Sequence, residues 1–286
     1  MIGPLRSLLF VPGTRADRFE KALSTGADAV VFDMEDSVGP AQKDQARGAI
    51  AEFLAAGRQA GPHRLIRLNP VHTAFGTADL EFFRGRDGFD GVLLPKVDAP
   101  GTLETAARAL ATSRSGGVAS PLLPLLESPR AVLRALEIAS ADAPVAALLL
   151  GAEDLAAALG VTRTMDGEEL ILARAQIAMA AAAVGAEAID AVFTHLDDEE
   201  GLRRDCARAR GVGFGGKMAI HPRQVAIINE AFTPSDAELD QARRTIETYE
   251  AALAAGQGVT RLGSDMVELP MVVRARRLIA LAGRLR

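Results

Sequence analysis

Cysteine is almost missing from this chain: Cys206, in the basic stretch at residues 201–210, is the single one in 286 residues. That excludes a disulfide framework within one chain and a thiolate cluster around a metal, and Cys206 itself reads as a bystander. Tryptophan is absent and tyrosine occurs once, against 11 phenylalanines. No run of lysine and arginine interleaved with aromatics is present, and the formal net charge is −5. Nothing attracts nucleic acid in general, so small-molecule partners are expected. No apolar stretch approaches the roughly 20 residues needed to cross a bilayer. The amino terminus runs into an apolar segment without a basic leader, and a cytoplasmic location with no membrane partner is the expectation. The four histidines, His63, His72, His195 and His221, show no metal-ligand spacing such as His-Glu-x-x-His. Only His221 stands where it could touch a ligand. A Gly-x-Ser-x-Gly elbow is lacking as well, which counts against an ordinary hydrolase.

What is present is a rhythm. Apolar residues make up 49% of the chain, enough for a large core. They fall in short runs at residues 7–12, 29–32, 64–68, 91–95, 122–126, 144–150, 188–193 and 216–220. Between the runs lie helical stretches, among them residues 13–25 (a loop and helix), 40–57, 77–86, 101–113 and 197–210, and a helix opened by His221-Pro222. Eight alternations predict parallel strands with right-handed crossovers. The fold class expected is therefore α/β, a (β/α)8 TIM barrel. A doubly wound open sheet is the alternative, but no Gly-x-Gly-x-x-Gly follows the first strand. After residue 232 the pattern changes. A helix over residues 235–255, an irregular tail over 259–270 and a last helix over 271–284 form a C-terminal helical extension. Barrel 1–232 and extension 233–286 are the expected domains, the extension packing on the barrel or on a neighbouring subunit.

The predicted strand ends are where charge gathers. Leu122-Leu123-Pro124-Leu125-Leu126 stops at Glu127, and Ser128-Pro129 at once supplies helix-start chemistry, an N-cap followed by proline at the first helical position. Glu127 thus stands at the carboxyl end of a buried strand, where the loops of an α/β barrel converge. The next strand ends in Gly151-Ala152-Glu153-Asp154 and brings Asp154 beside it. Two carboxylates with no soft ligand suit a hard cation such as Mg2+; the competing reading makes Glu127 a solvated turn residue and Asp154 an N-cap. Asp33, Glu35 and Asp36 follow the second strand, Arg67 ends the third and Lys96 the fourth. An arginine inside the apolar run 65–70 must be paired or must face a polar cavity. It either holds an anionic oxygen or forms a structural ion pair with Asp33 or Asp36. Lys96 reads as an ion-paired, protonated lysine rather than a Schiff-base lysine.

In order along the chain, Ser7-Leu8-Leu9-Phe10-Val11-Pro12-Gly13, Asp33-Met34-Glu35-Asp36, Ile66-Arg67-Leu68-Asn69, Leu94-Pro95-Lys96, Leu126-Glu127-Ser128-Pro129, Gly151-Ala152-Glu153-Asp154-Leu155 and Gly216-Lys217-Met218-Ala219-Ile220-His221-Pro222 resemble the citrate lyase β-subunit-like family. That family, of the HpcH/HpaI aldolase superfamily, includes malyl-CoA and citramalyl-CoA lyases. The resemblance runs from Arg6 to about Arg277. It implies a TIM barrel with Mg2+ held by Glu127, Asp154, waters and the 2-oxo-acid end of the substrate. It implies that Arg67 polarises a thioester or ketone oxygen, with Lys96 and the Asp33/Asp36 pair supporting the catalytic groups. Phe10, Pro12 and Arg15 would lie near a CoA or phosphopantetheine arm, and the assembly would be a homotrimer or hexamer.

In such proteins a tail motif like Asp-Gly-Lys-Met-Ile-Asp-x-Pro carries an aspartate into a neighbour's site as acid/base. The corresponding run here is Gly263-Ser264-Asp265-Met266-Val267-Glu268-Leu269-Pro270, with Glu268 in the aspartate's place. A carboxylate is kept for proton transfer, one methylene longer. The expected activity is a Mg2+-dependent carbon–carbon lyase that splits a malyl-CoA- or citramalyl-CoA-like thioester into acetyl-CoA and a 2-oxo acid. Two alternatives stand beside it: a citrate lyase β subunit acting on a citryl group carried by an acyl carrier protein, and a non-catalytic barrel that binds CoA esters.

Overall fold

The structure, a computed structural model, describes residues 2–57, 60–111 and 120–285. The chain divides into two compact units, Met1–Phe232 and Thr233–Arg286. In the first, strands β1 (Ser7–Pro12), β2 (Ala29–Asp33), β3 (His63–Arg67), β4 (Gly91–Leu94), β5 (Leu122–Leu126), β6 (Ala147–Leu150), β7 (Glu187–Asp190) and β8 (Gly216–Ala219) pair in parallel in chain order. β8 returns to β1, Leu8 opposite Met218, and closes the barrel. Closure brings β8 so near the entering chain that a Cβ on Gly216 would lie 1.8 Å from the Leu5 carbonyl oxygen. Only glycine fits there.

Helices fill the crossovers: α1 (Phe19–Leu23), α2 (Lys43–Ala55), α3 (Ala74–Phe83), α4 (Pro100–Leu110), α5 (Pro129–Leu133), α6 (Ala135–Ala139), α7 (Ala152–Leu159), α8 (Ile171–Val184), α9 (Glu199–Val212) and α10 (Pro222–Phe232). Strand alternation separates two cores, because successive side chains point to opposite faces. Leu8, Val31, Leu65, Leu93, Leu123, Leu125, Leu149, Ile189 and Met218 fill the lumen. Their strand neighbours Leu9, Val30, Phe32, Ile66, Val92, Leu94, Leu126 and Leu150 pack outward with the helices. The same parity carries Phe10, Asp33, Arg67 and Glu127 onto the lumen face, two residues beyond Leu8, Val31, Leu65 and Leu125.

The second unit holds α11 (Asp236–Ala254), an antiparallel hairpin of β9 (Thr260–Leu262) and β10 (Asp265–Val267), and α12 (Leu269–Arg284). α11 begins with a full capping box, Ser235 and Glu238 each satisfying the other's backbone N–H. Tyr249, Val267 and Val272 form its small core.

Element boundaries depart from the sequence pattern in several places. α3 starts at Ala74 rather than residue 77, because the Thr73 hydroxyl accepts the Gly76 N–H at 3.1 Å and nucleates the helix a turn early. The stretch 259–270 contains a hairpin with Gly263 at φ 63 in its turn, a conformation glycine adopts freely. β7 ends at Asp190, short of residue 193. The expected fourth helix, 101–113, ends at Leu110, and its last two residues lie outside the described ones. Among the described residues no helix is long and apolar enough to cross a membrane.

Candidate active site

Parallel register explains the first half of the site. β2 and β3 pair with Asp33 opposite Arg67, both on the lumen face. Arg67 donates from Nε to Asp33 Oδ1 at 2.6 Å and from Nη2 to Oδ2 at 2.7 Å, a bidentate fork. Its Nη1 lies 2.9 Å from Glu35 Oε2 and 3.7 Å from Asp36 Oδ2, and Phe10 lies 5.1 Å below the guanidinium. The structural ion pair and the cavity-facing guanidinium, open alternatives in the sequence, are therefore both present. Burial lowers the Arg67 pKa, but the Asp33 hydrogen bonds and the surrounding carboxylates outweigh it and hold the cation charged. Burial likewise pushes Asp33 up; Arg67 more than compensates and leaves its carboxyl below the ordinary range. Glu35, 4% exposed, is pushed by burial up to about 7 against the pull of Arg67. Asp36 projects further out, with 64% of its side chain exposed.

The second half comes from β4, β5 and β6. Leu126 pairs with Leu150, which sets Glu127 beside Gly151. A Cβ at position 151 would lie 2.3 Å from the Glu127 Cβ and 2.7 Å from its Oε2, so the missing side chain is the space the carboxylate occupies. Asp154, in the first turn of α7, reaches in from the next loop. Strict alternation after Leu94 would send Lys96 outward; its backbone instead takes φ 53, and it is the only non-glycine residue with positive φ among the described residues. The Lys96 N–H donates to Glu127 Oε1 at 2.6 Å, and Nζ reaches Asp154 Oδ2 at 2.7 Å. Burial pushes Glu127 up to about 8, with Lys96 opposing that rise. Burial also pushes Asp154 up, yet its bonds to Lys96 and Glu127 leave it lowered.

These groups converge on one cavity of about 440 Å³ lined by Phe10, Pro12, Asp33, Arg67, Glu127 and Asp154, with Leu125, Val192, Met218 and Ile220 as apolar walls. The donor set at one end is oxygen alone, as a hard cation requires. Among the described residues no group of three or more His, Cys, Asp or Glu side chains surrounds a common point. A cation held by Glu127 and Asp154 would take its other ligands from water and substrate, which Mg2+ tolerates well.

A second cavity of about 620 Å³ shares Phe10 and Pro12 with the first and adds Arg18, Lys21 and His221. Arg15 lines neither cavity and forms an exposed ion pair with Asp17 at 2.7 Å. Arg18 and Lys21, one helical turn apart, are the cations facing the space, and their i, i+3 spacing was the available signal. Glu268 is the N-cap residue of α12 in the second unit, half-buried, making no side-chain cap bond. Cys206 is buried, its thiol pushed up to about 12 by desolvation, and so is inert.

Comparison with known proteins adds an independent line. Residues 6–222 match the HpcH/HpaI aldolase/citrate lyase family. The chain is 36% identical over 281 residues to the citrate lyase subunit beta of Escherichia coli strain K12, covering 97% of this chain and 93% of that protein. It is also 36% identical over 279 residues to a (3S)-malyl-CoA thioesterase of Cereibacter sphaeroides, covering 98% and 95%. Among solved structures, CitE from Mycobacterium tuberculosis in complex with magnesium, acetoacetate and coenzyme A superposes with a TM-score of 0.81 at 32% identity, covering 99% of this chain and all of that one. A citrate lyase beta subunit from the same organism, complexed with oxaloacetate and magnesium, gives 0.70 at 34% identity over 82% of this chain and 98% of that one.

Proposed function

The chain belongs to the HpcH/HpaI aldolase/citrate lyase family and is a lyase, and from that premise we propose that it splits a malyl-CoA- or citramalyl-CoA-like thioester into acetyl-CoA and a 2-oxo acid with the help of Mg2+. The observation that carries the reading is the convergence of one paired guanidinium and two oxygen-ligand carboxylates on a single cavity at the barrel mouth. A bound Mg2+ would acidify the substrate hydroxyl and neutralise its carboxylate. Glu127 and Asp154 are the residues that would hold it.

Cleavage breaks the bond between the carbinol carbon and the carbon α to the thioester. The hydroxyl proton passes to water, the carbinol carbon becomes the aldehyde or ketone carbonyl of the 2-oxo acid, and the electron pair of the broken bond moves onto the thioester as an enolate. Arg67, fixed by Asp33 and Glu35 and stacked over Phe10, presents its charge where that oxyanion develops, with no reorganisation at the moment of reaction. Asp36 and Lys96 complete the charged rim around it. Glu268 in its acid form, or a water, is assigned the protonation of the enolate carbon, with Glu268 delivered from the tail of a neighbouring copy in a homotrimer or hexamer. Phe10 and Pro12 line the approach of the pantetheine arm, and the basic pair Arg18 and Lys21, rather than Arg15, gives anionic phosphates a place to bind.

The test is turnover of malyl-CoA and citramalyl-CoA side by side, with Mg2+ and with EDTA, following both the 2-oxo acid and free CoA thiol. Metal-dependent release of 2-oxo acid without free thiol supports the lyase. Release of free thiol would point to thioester hydrolysis, the activity named for the Cereibacter relative. With neither product, the reading passes to a citryl thioester on an acyl carrier protein, favoured by the equal identity to the Escherichia coli subunit, and then to a non-catalytic CoA-ester-binding barrel. Glu127→Ala and Asp154→Ala are each expected to abolish turnover with the circular dichroism spectrum unchanged; full activity in either variant would refute the site.

A further inference from the structure

Lys96 is bound to both carboxylates at once. Its Nζ lies 2.7 Å from Asp154 Oδ2 and 3.7 Å from Glu127 Oε1, and its backbone N–H donates to that same Oε1 at 2.6 Å. The left-handed backbone at φ 53 re-aims a side chain that alternation would turn away, and such conformations in a residue other than glycine persist where the surroundings demand them. Mg2+ takes carboxylate oxygens at about 2.0–2.1 Å. A cation held by Glu127 and Asp154 would share these oxygens with the ammonium, and two positive charges so close repel even at a moderate effective dielectric.

Resting on the metal reading above, we infer that the Lys96 ammonium is a built-in counter-cation for the Glu127–Asp154 pair, one that a divalent cation must displace before it can load. The flexible four-carbon stem permits the departure. The consequence is a threshold. Lys96 keeps two acidic side chains paired and ordered, and it sets how much metal is needed to take them over.

Methionine at this position keeps the stem and the backbone N–H and removes only the charge. Isothermal titration of Mg2+ into the full-length wild type, Lys96→Met and Lys96→Arg reads the effect directly. Lys96→Met is expected to bind roughly two- to fivefold tighter, the order of one partly exposed charge pair; Lys96→Arg, which keeps the charge, is expected to stay near wild type. In EDTA the methionine variant should melt below wild type, its carboxylates left facing each other, and Mg2+ should raise its Tm by more than it raises that of wild type. That recovery also shows the variant is folded. Equal or weaker binding by Lys96→Met, with wild type binding normally, overturns the role given to Lys96 and leaves the metal reading intact. Binding by neither protein overturns both.

Discussion

Gly151 is the position at which a single methyl group reaches the chemistry. The Glu127 carboxylate lies in the space its side chain would take, so Gly151→Ala must push Glu127 away from Asp154 or shift the start of α7. A displacement near 1 Å in a catalytic group can cost on the order of 100-fold in rate. The expected outcome is a loss of kcat of about that size, with Mg2+ affinity falling in parallel and a stability cost of only about 1–3 kcal/mol. Steady-state kinetics beside denaturant unfolding separates the two effects. Unchanged kinetics would mean that Glu127 does not need the place it holds. At the same scale, Arg67 illustrates how far one residue can be read: an arginine in an apolar run had to be paired or functional, and sequence could not choose because both demands are met by the same guanidinium.

Between α8, α9, β7 and β8 lies a buried ionic network. Arg174 holds Asp190 at 2.9 Å and Asp205 at 2.8 Å, and Lys217 reaches each aspartate at 2.5 Å. All four are essentially buried. Two cations balance two anions, so the set is neutral as a unit and costly to break. Burial pushes Asp205 up, while Lys217 and Arg174 more than reverse this and leave its carboxyl lowered. The stabilisation is therefore fully present above the unfolded value of about 4 and is lost as pH falls through the lower folded value. Asp205→Asn strands the Lys217 and Arg174 charges and is expected to cost about 3–5 kcal/mol at pH 7 by denaturant unfolding. The gap to wild type should narrow as the pH is taken below about 4. A constant gap across that range would show that charge is not what the network contributes. Lys217 was visible in the sequence only as one letter of a motif; its partners Asp190 and Asp205 come from two other elements, β7 and α9.

The acid/base assignment belongs to the assembled molecule. If the tail of one copy serves the barrel of another, a protein defective in Glu127 and a protein defective in Glu268 are each inactive alone and complementary together. Mixing Glu127→Ala with Glu268→Gln, after dissociation and reassembly, is expected to restore a measurable fraction of wild-type turnover, since some mixed assemblies contain an intact pair. Activity lost only in Glu127→Ala, with Glu268→Gln fully active, would remove Glu268 from the reaction. The lengthening from aspartate to glutamate also leads to an expectation for Glu268→Asp: kcat should change while KM changes little, if the residue serves the proposed protonation of the enolate and not substrate binding.

The sequence by itself determined the barrel and the ring of charges at its mouth. Both follow from local rules: apolar runs separated by helix signals dictate parallel strands, and period-two alternation decides which strand-end residue looks inward, as it does for Phe10, Asp33, Arg67 and Glu127. Tertiary structure alone decided what those rules do not reach. It turned Lys96 back over the mouth through one left-handed residue, reserved the space at Gly151 for a carboxylate, put Arg18 and Lys21 rather than Arg15 against the neighbouring cavity, and gathered Arg174, Asp190, Asp205 and Lys217 into one network. Each depends on how separate crossovers meet in space, and no short-range pattern encodes a meeting between segments tens of residues apart.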